Sequence, residues 1–127
     1  MKYTRVLNII AKDYNHEQPE IPRTEAFTKE IKRIISQKIK KNNLPWDIVN
    51  QSKIYCECSG FIVDKETNRH IYYSIGDYRY PFMGKPWYNS ILIRTAKDSN
   101  DYHGGMNHYT TLDNFEKDVE RLFKIYK

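Results

Sequence analysis

The chain has 127 residues, of which 39% are hydrophobic and 29% charged, a balance that fits one globular domain over residues 1–127 and excludes a disordered chain. Two cysteines exclude a disulfide scaffold, and no apolar run nears the roughly 20 residues that span a bilayer. The net charge is +5, and all of the excess lies in residues 23–53, where Arg23, Lys29, Lys32, Arg33, Lys38, Lys40, Lys41 and Lys53 face only Glu25, Glu30 and Asp47. A local surplus of this kind makes a directed positive field that raises encounter rates with anionic partners.

The first residues, MKYTRVLNIIAKDY, carry no continuous apolar core followed by a small-residue cleavage site, so no signal peptide is expected. Tyr3, Val6, Leu7, Ile10 and Tyr14 fall at helical spacing and predict a short helix over 3–14. NHEQPEIPR, with Pro19 and Pro22, reads as a linker. Thr24 then opens the longest helical pattern. Phe27, Ile31, Ile34, Ile35 and Ile39 form its apolar stripe, Lys29, Lys32, Arg33 and Lys40 project from the other side, and Asn42, Asn43 and Pro45 end it.

Residues 53–63 and 69–76 are rich in aromatic and β-branched side chains and flank the polar DKETN, which predicts a β-hairpin. NSILIRTA, residues 89–96, reads as a third strand. Thr110 or Thr111 is expected to start a last helix, with Asp113 in a capping-box arrangement and Leu112, Phe115, Val119, Leu122, Phe123 and Tyr126 as its apolar stripe. The predicted fold is therefore α+β in the order α-α-β-β-β-α: a three-stranded antiparallel sheet with helices packed on one face and the other face open. Residues 77–88 and 97–109 remain as two long loops, a length at which loops are often functional.

Four features carry the functional expectations. The basic helix offers Lys29, Lys32, Arg33 and Lys40 either as a solvated face or as a dock for an anionic partner; no helix-turn-helix, zinc-finger or RNA-binding signature accompanies it. The loop 77–88 places Tyr78, Tyr80, Phe82, Trp87 and Tyr88 among Arg79 and Lys85, a mixture typical of interface hot spots and of single-stranded nucleic-acid binding, or of a lid on the core. The loop 97–109 carries Asp98, Asp101, His103 and His108 beside Gly104 and Gly105; a His near an Asp suits general-base or metal chemistry, while a turn that bonds its own backbone needs the same residues. Cys56 and Cys58, at i and i+2 on a strand, share one face, where they act as small buried hydrophobes or, with His103 and His108, as a zinc site of unusual spacing. Tyr55, Glu57 and Ser59 then take the opposite, outer face, with Tyr72 or Tyr73 from the neighbouring strand.

No cofactor motif is present. Ile, Lys, Asn and Tyr supply 50 of the 127 residues, a usage that points to an AT-rich genome such as a low-GC bacterium or its phages, and free thiols point to a reducing cytoplasm. The leading expectation is a small non-enzymatic binding protein, of the kind by which phages or mobile elements inhibit or modulate a nucleic-acid-handling partner, docking through the basic helix and the aromatic loop. Its partner would be a protein with an acidic or nucleic-acid-like surface, and not a membrane. The alternatives are direct nucleic-acid binding, and a small metal- or His-dependent hydrolase or nuclease using Asp101, His103 and His108.

Overall fold

The computed structural model describes residues 5–8, 24–54, 57–76, 81–102 and 105–125. Among them the element order is α1 (Thr24–Lys41), β1 (Trp46–Ile54), β2 (Glu57–Asp64), β3 (His70–Ile75), a short 3₁₀ turn (Trp87–Asn89), β4 (Ile91–Ala96), β5 (His108–Thr110) and α2 (Phe115–Ile125). The strands form one antiparallel sheet in the order β1-β2-β3-β4-β5. The α+β class and the antiparallel sheet agree with the sequence pattern, but the sheet has five strands rather than three, and the element order is changed accordingly. The expected helix 3–14 is described only at residues 5–8, which are helical; the linker that follows it lies outside the described residues.

Both additional strands have physical reasons for being hard to read. β1, WDIVNQSKI, has only Ile48 and Val49 as adjacent strand-forming apolar residues, and it is interrupted by a bulge. Val49 pairs with Phe61 and Ser52 with Ser59, so Asn50 and Gln51 together stand against Gly60. Asn50 adopts a left-handed conformation, φ 49°, which suits Asn better than most residues. β5 is three residues long, too short for a period to show. The expected strand 53–63 in fact contains the end of β1 and most of β2. The DKETN turn is confirmed: Asp64 accepts the Glu66 amide at 2.9 Å, and Asn68, φ 60°, supplies the left-handed residue that returns the chain.

Alternation divides the sheet into two faces. Trp46, Cys58, Ile62, Ile71, Tyr73, Ile75, Ile91 and Ile93 point to the inner face, where α1 and α2 cover them. Phe27, Ile31 and Ile35 are fully buried on α1, and Ile34 and Ile39 pack at its margin. Val6 joins the same core. On α2 the buried residues are Phe115, Val119, Leu122 and Phe123. That helix begins at Phe115 rather than at Thr110 or Thr111. Thr110 ends β5, its hydroxyl donates to the Asp118 carboxylate at 2.5 Å, and Thr111 accepts the Asn114 amide at 3.1 Å across an intervening turn. Leu112 is buried all the same, because that turn crosses the edge of the core.

The bulge also fixes the centre of the inner face. It turns Gln51 inward, where its amide nitrogen lies 3.2 Å from the Tyr73 hydroxyl, 3.3 Å from the Thr28 carbonyl on α1 and 3.7 Å from the Cys58 thiol. Gly60 leaves the room that the Tyr73 ring occupies: a Cβ there would stand 2.9 Å from the hydroxyl and 3.0 Å from a ring carbon. Tyr73 is fully buried and edge-on to Phe115, so it has nowhere to retreat. Gly60→Ala is accordingly expected to destabilise the domain by about 1–3 kcal/mol, the usual cost of overpacking. Urea denaturation checks this, with the double variant carrying Tyr73→Phe recovering part of the loss by removing the nearest atom.

Candidate functional site

The basic helix lies on the inner side of the sheet and turns its cations away from it. Lys29, Lys32, Lys40 and Lys41 are exposed. Lys32 and Lys40 make no ion pair among the described residues. Arg33 is committed to Glu30 through a two-pronged pair at 2.8 and 2.5 Å, and Arg5 approaches the same carboxylate at 3.3 Å. Lys38 ties the two helices together, with its ammonium 2.9 Å from Glu116 and 3.3 Å from the Asp113 carbonyl. The helix thus keeps a reduced positive surface, because Arg33 and Lys38 serve the fold.

Of the aromatic loop, Tyr78, Arg79 and Tyr80 lie outside the described residues. Phe82 to Lys85 form a tight two-residue hairpin, closed by paired backbone hydrogen bonds of 2.9 Å, with Met83 and Gly84 both at positive φ (52° and 77°) as a type I′ turn requires. The hairpin presents Phe82, Met83 and Lys85 to solvent. Trp87 does not join them: it is 6% exposed and meets Phe27 edge-on at 5.2 Å inside the core. Tyr88 is half-buried against Trp87, and its carbonyl accepts the Leu112 amide at 2.7 Å. The loop therefore divides, its second half closing the core and its hairpin remaining on the surface.

Among the described residues the other exposed rings, Tyr102 and Tyr109, lie on the outer sheet face. Phe61, Tyr72 and Ala96 form a small apolar cluster there, with Val49 and Leu92 at its margin. Tyr102 packs edge-on against Phe61 and Tyr72 at 5.3 and 5.8 Å. Arg94 lies over the Tyr72 ring at 4.8 Å and donates to the Tyr102 carbonyl and, at 3.3 Å, to Asn107. Asn50 donates to the Ser99 carbonyl at 2.7 Å, so the bulge that turns Gln51 inward also anchors this loop. Farther along the same face Tyr109 stacks on Phe82, with centroids 5.5 Å apart and planes 27° from parallel. Beside this pair lies a hollow of about 320 Å³ lined by Ser74, Gly76, Pro81, Phe82, Trp87, Ser90, Leu92 and Tyr109. Sequence reading missed Tyr102, Tyr109 and Met83. The only local signal for Tyr109 was its alternation with His108 and Thr110, over three residues.

The loop 97–109 uses its polar residues to hold itself. The Asp101 carboxylate accepts the Lys97 amide at 2.9 Å and the Asp98 carboxylate accepts the Asn100 amide at 2.8 Å. His103 and Gly104 lie outside the described residues, and His108 is exposed on β5 opposite Ile93. Of the four zinc candidates Cys58 and His108 are described, and they do not share a site. Cys58 sits in β2, on the inner face beneath α1, and three strand spacings, about 14 Å, separate β2 from β5. No group of three His, Cys, Asp or Glu with metal-binding geometry occurs among the described residues. Cys56 and Tyr55 lie outside them. Ser59 and Tyr72 take the outer face, whereas Tyr73 takes the inner one. Compared with known proteins, the chain matches no family model, no curated protein and no solved structure. No helix among the described residues is long and apolar enough to cross a membrane.

Two titrations follow from this geometry. Burial pushes the Cys58 thiol up to about 11, with hydrogen bonding from Gln51 only partly offsetting it. In a Cys56→Ser background Cys58 should react with iodoacetamide near neutral pH at least about 100-fold more slowly than a free thiol, since the thiolate is the nucleophile. Mass spectrometry of the alkylated fraction over time measures this. Glu30 moves the opposite way: the hydrogen bonds from Arg33 hold its carboxyl below the ordinary 4.5 despite its burial. A carboxyl depressed in the folded state stabilises the fold above its unfolded value, and the contribution is lost as pH falls through the folded value. Urea midpoints should therefore fall on acidification below 4.5 in the wild-type protein, and Glu30→Gln should flatten that part of the profile.

Proposed function

We propose that the protein is a small non-enzymatic binding module that docks on another protein through its outer sheet face. The observation that supports this most directly is the separation of rings from cations. Among the described residues, Phe82, Met83, Tyr102, Met106 and Tyr109 are five of the six exposed large hydrophobic residues, and Phe82, Tyr102 and Tyr109 lie on the outer face. The surplus cations of α1 lie on the opposite side of the sheet. A single-strand nucleic-acid site needs stacking rings and phosphate-binding cations within one groove. Among the described residues the cations beside these rings are Lys85, on the hairpin, and Arg94, which is spent on the Tyr72 ring and the Tyr102 carbonyl, and a surface with so few free cations suits the apolar centre of a protein interface instead.

The exposed lysines of α1 contribute at long range, steering an acidic partner toward the module without having to touch it. A nucleic-acid-handling protein with an acidic or nucleic-acid-like surface is the partner class that this field favours, and the module would act as its inhibitor or modulator. Asp98 and Asp101 are occupied in backbone turns, which weighs against a hydrolase built on that loop.

The two surfaces can be tested separately. A partner captured from host lysate should remain bound after nuclease treatment. The double variant Phe82→Ala with Tyr109→Ala should weaken its binding by about 2 kcal/mol or more, as interface hot spots do. Lys32→Glu with Lys40→Glu should instead slow association and reduce its dependence on salt. Loss of the partner on nuclease treatment, with affinity falling steeply as salt rises, would establish direct nucleic-acid binding in place of this reading.

A further inference from the structure

The hollow beside Phe82 and Tyr109 has features of a receptor rather than of a flat patch, and its lining restricts what can enter. It measures about 320 Å³, at the lower end of the range for ligand sites and too small for a helix or for several side chains. Its walls are the rings of Phe82, Tyr109 and Trp87 with Pro81 and Leu92, while Gly76 adds no side chain at the mouth. Flat aromatic walls favour a flat occupant, through offset or edge-on ring contacts. Among the described residues the lining also includes Ser74 and Ser90, whose hydroxyls add to that of Tyr109. The Ser90 hydroxyl donates to the Pro86 carbonyl at 3.0 Å, so its remaining capacity is to accept a hydrogen bond. Ser74 pairs with Leu92 across β3 and β4 on the outer face, and its hydroxyl can rotate to suit the occupant.

We propose that this hollow receives a single indole ring, the side chain of a tryptophan on the protein partner, with the ring held among Phe82, Tyr109 and Leu92 and its N–H directed to Ser90. A bicyclic ring fills the space better than a phenyl group, and the acceptor left on Ser90 calls for a donor at the ring edge. Tryptophan is also among the residues that most often anchor protein interfaces. The inference rests on the docking face proposed above and specifies which group of the partner enters it.

The test uses the full chain, labelled for amide correlation spectra, with free indole as the probe. Indole should shift the amides of Ser74, Gly76, Ser90, Leu92 and Tyr109 along a saturable curve. N-methylindole, which keeps the ring and loses the donor, should bind about fivefold more weakly, the usual worth of one hydrogen bond. Tyr109→Ala should weaken indole binding by up to about tenfold; Tyr109 is half exposed in an edge strand, and unchanged amides of Ile71, Tyr73 and Ile93 would verify that the fold survives. Shifts that fail to saturate, or that scatter over α1 and α2, overturn the proposal, as does equal affinity for the two indoles. If indole fails to bind while Phe82→Ala with Tyr109→Ala still weakens the partner complex, the docking face stands and the tryptophan receptor falls. If indole binds with the stated selectivity but the partner complex ignores that double variant, the hollow is an indole site and the docking face is wrong.

Discussion

The bulge that sets Asn50 and Gln51 against Gly60 joins the two halves of this structure. Without the extra residue, alternation along β1 would place Asn50 inward beneath α1 and Gln51 outward. With it, Gln51 reaches the Tyr73 hydroxyl and the Thr28 carbonyl, so a polar group at the centre of the core finds partners on a helix and on the neighbouring strands. The left-handed Asn50 meanwhile carries its amide to Ser99 on the other side of the sheet. One irregularity therefore satisfies a buried tyrosine and anchors the loop that roofs the outer face. Gly60 is its necessary counterpart, since the space it leaves is the space that Tyr73 fills.

Charge is arranged by the same division. The inner face is closed by two helices whose mutual contact includes the Lys38–Glu116 pair, and Arg33 and Arg5 neutralise the buried Glu30 carboxylate. Those interactions draw on the basic segment for structural ends and leave the exposed lysines of α1 facing solvent on the helix side. The outer face has a different economy. Arg94 on this face is spread over the Tyr72 ring and bound to the Tyr102 carbonyl and Asn107, so it stiffens the surface more than it charges it. What the outer face presents is ring and thioether surface with a hollow between, a chemistry that rewards close packing by an apolar group.

The helices were legible from sequence because long amphipathic segments repeat their signal: Phe27, Ile31 and Ile35, and Phe115, Val119 and Leu122, each mark several turns of one face. The central hairpin was legible for the same reason, since aromatic and β-branched residues flank a turn that can only be polar. Strand β1 was not, because its bulge breaks the period of two at the point where a reader would count it. Strand β5 was not, because three residues contain no period at all. Trp87 and Phe82 illustrate the limit most sharply. They stand five positions apart in one aromatic loop with nothing local to separate them, yet one ring closes the core against Phe27 and the other stands in solvent beside Tyr109.

By itself the sequence determined the class of fold, the apolar stripes of both long helices, the polar turn after Asp64 and the placement of all the excess charge in one segment. Those properties are local, because each depends on residues within a few turns of one another. The tertiary structure alone decided that the cations and the exposed rings lie on opposite sides of the sheet, that Asp98 and Asp101 close their own loop, and that Phe82, Leu92 and Tyr109 meet around one hollow. These are relations between segments far apart in the chain, fixed by strand register and by which face the helices cover, and no pattern within a single segment encodes them.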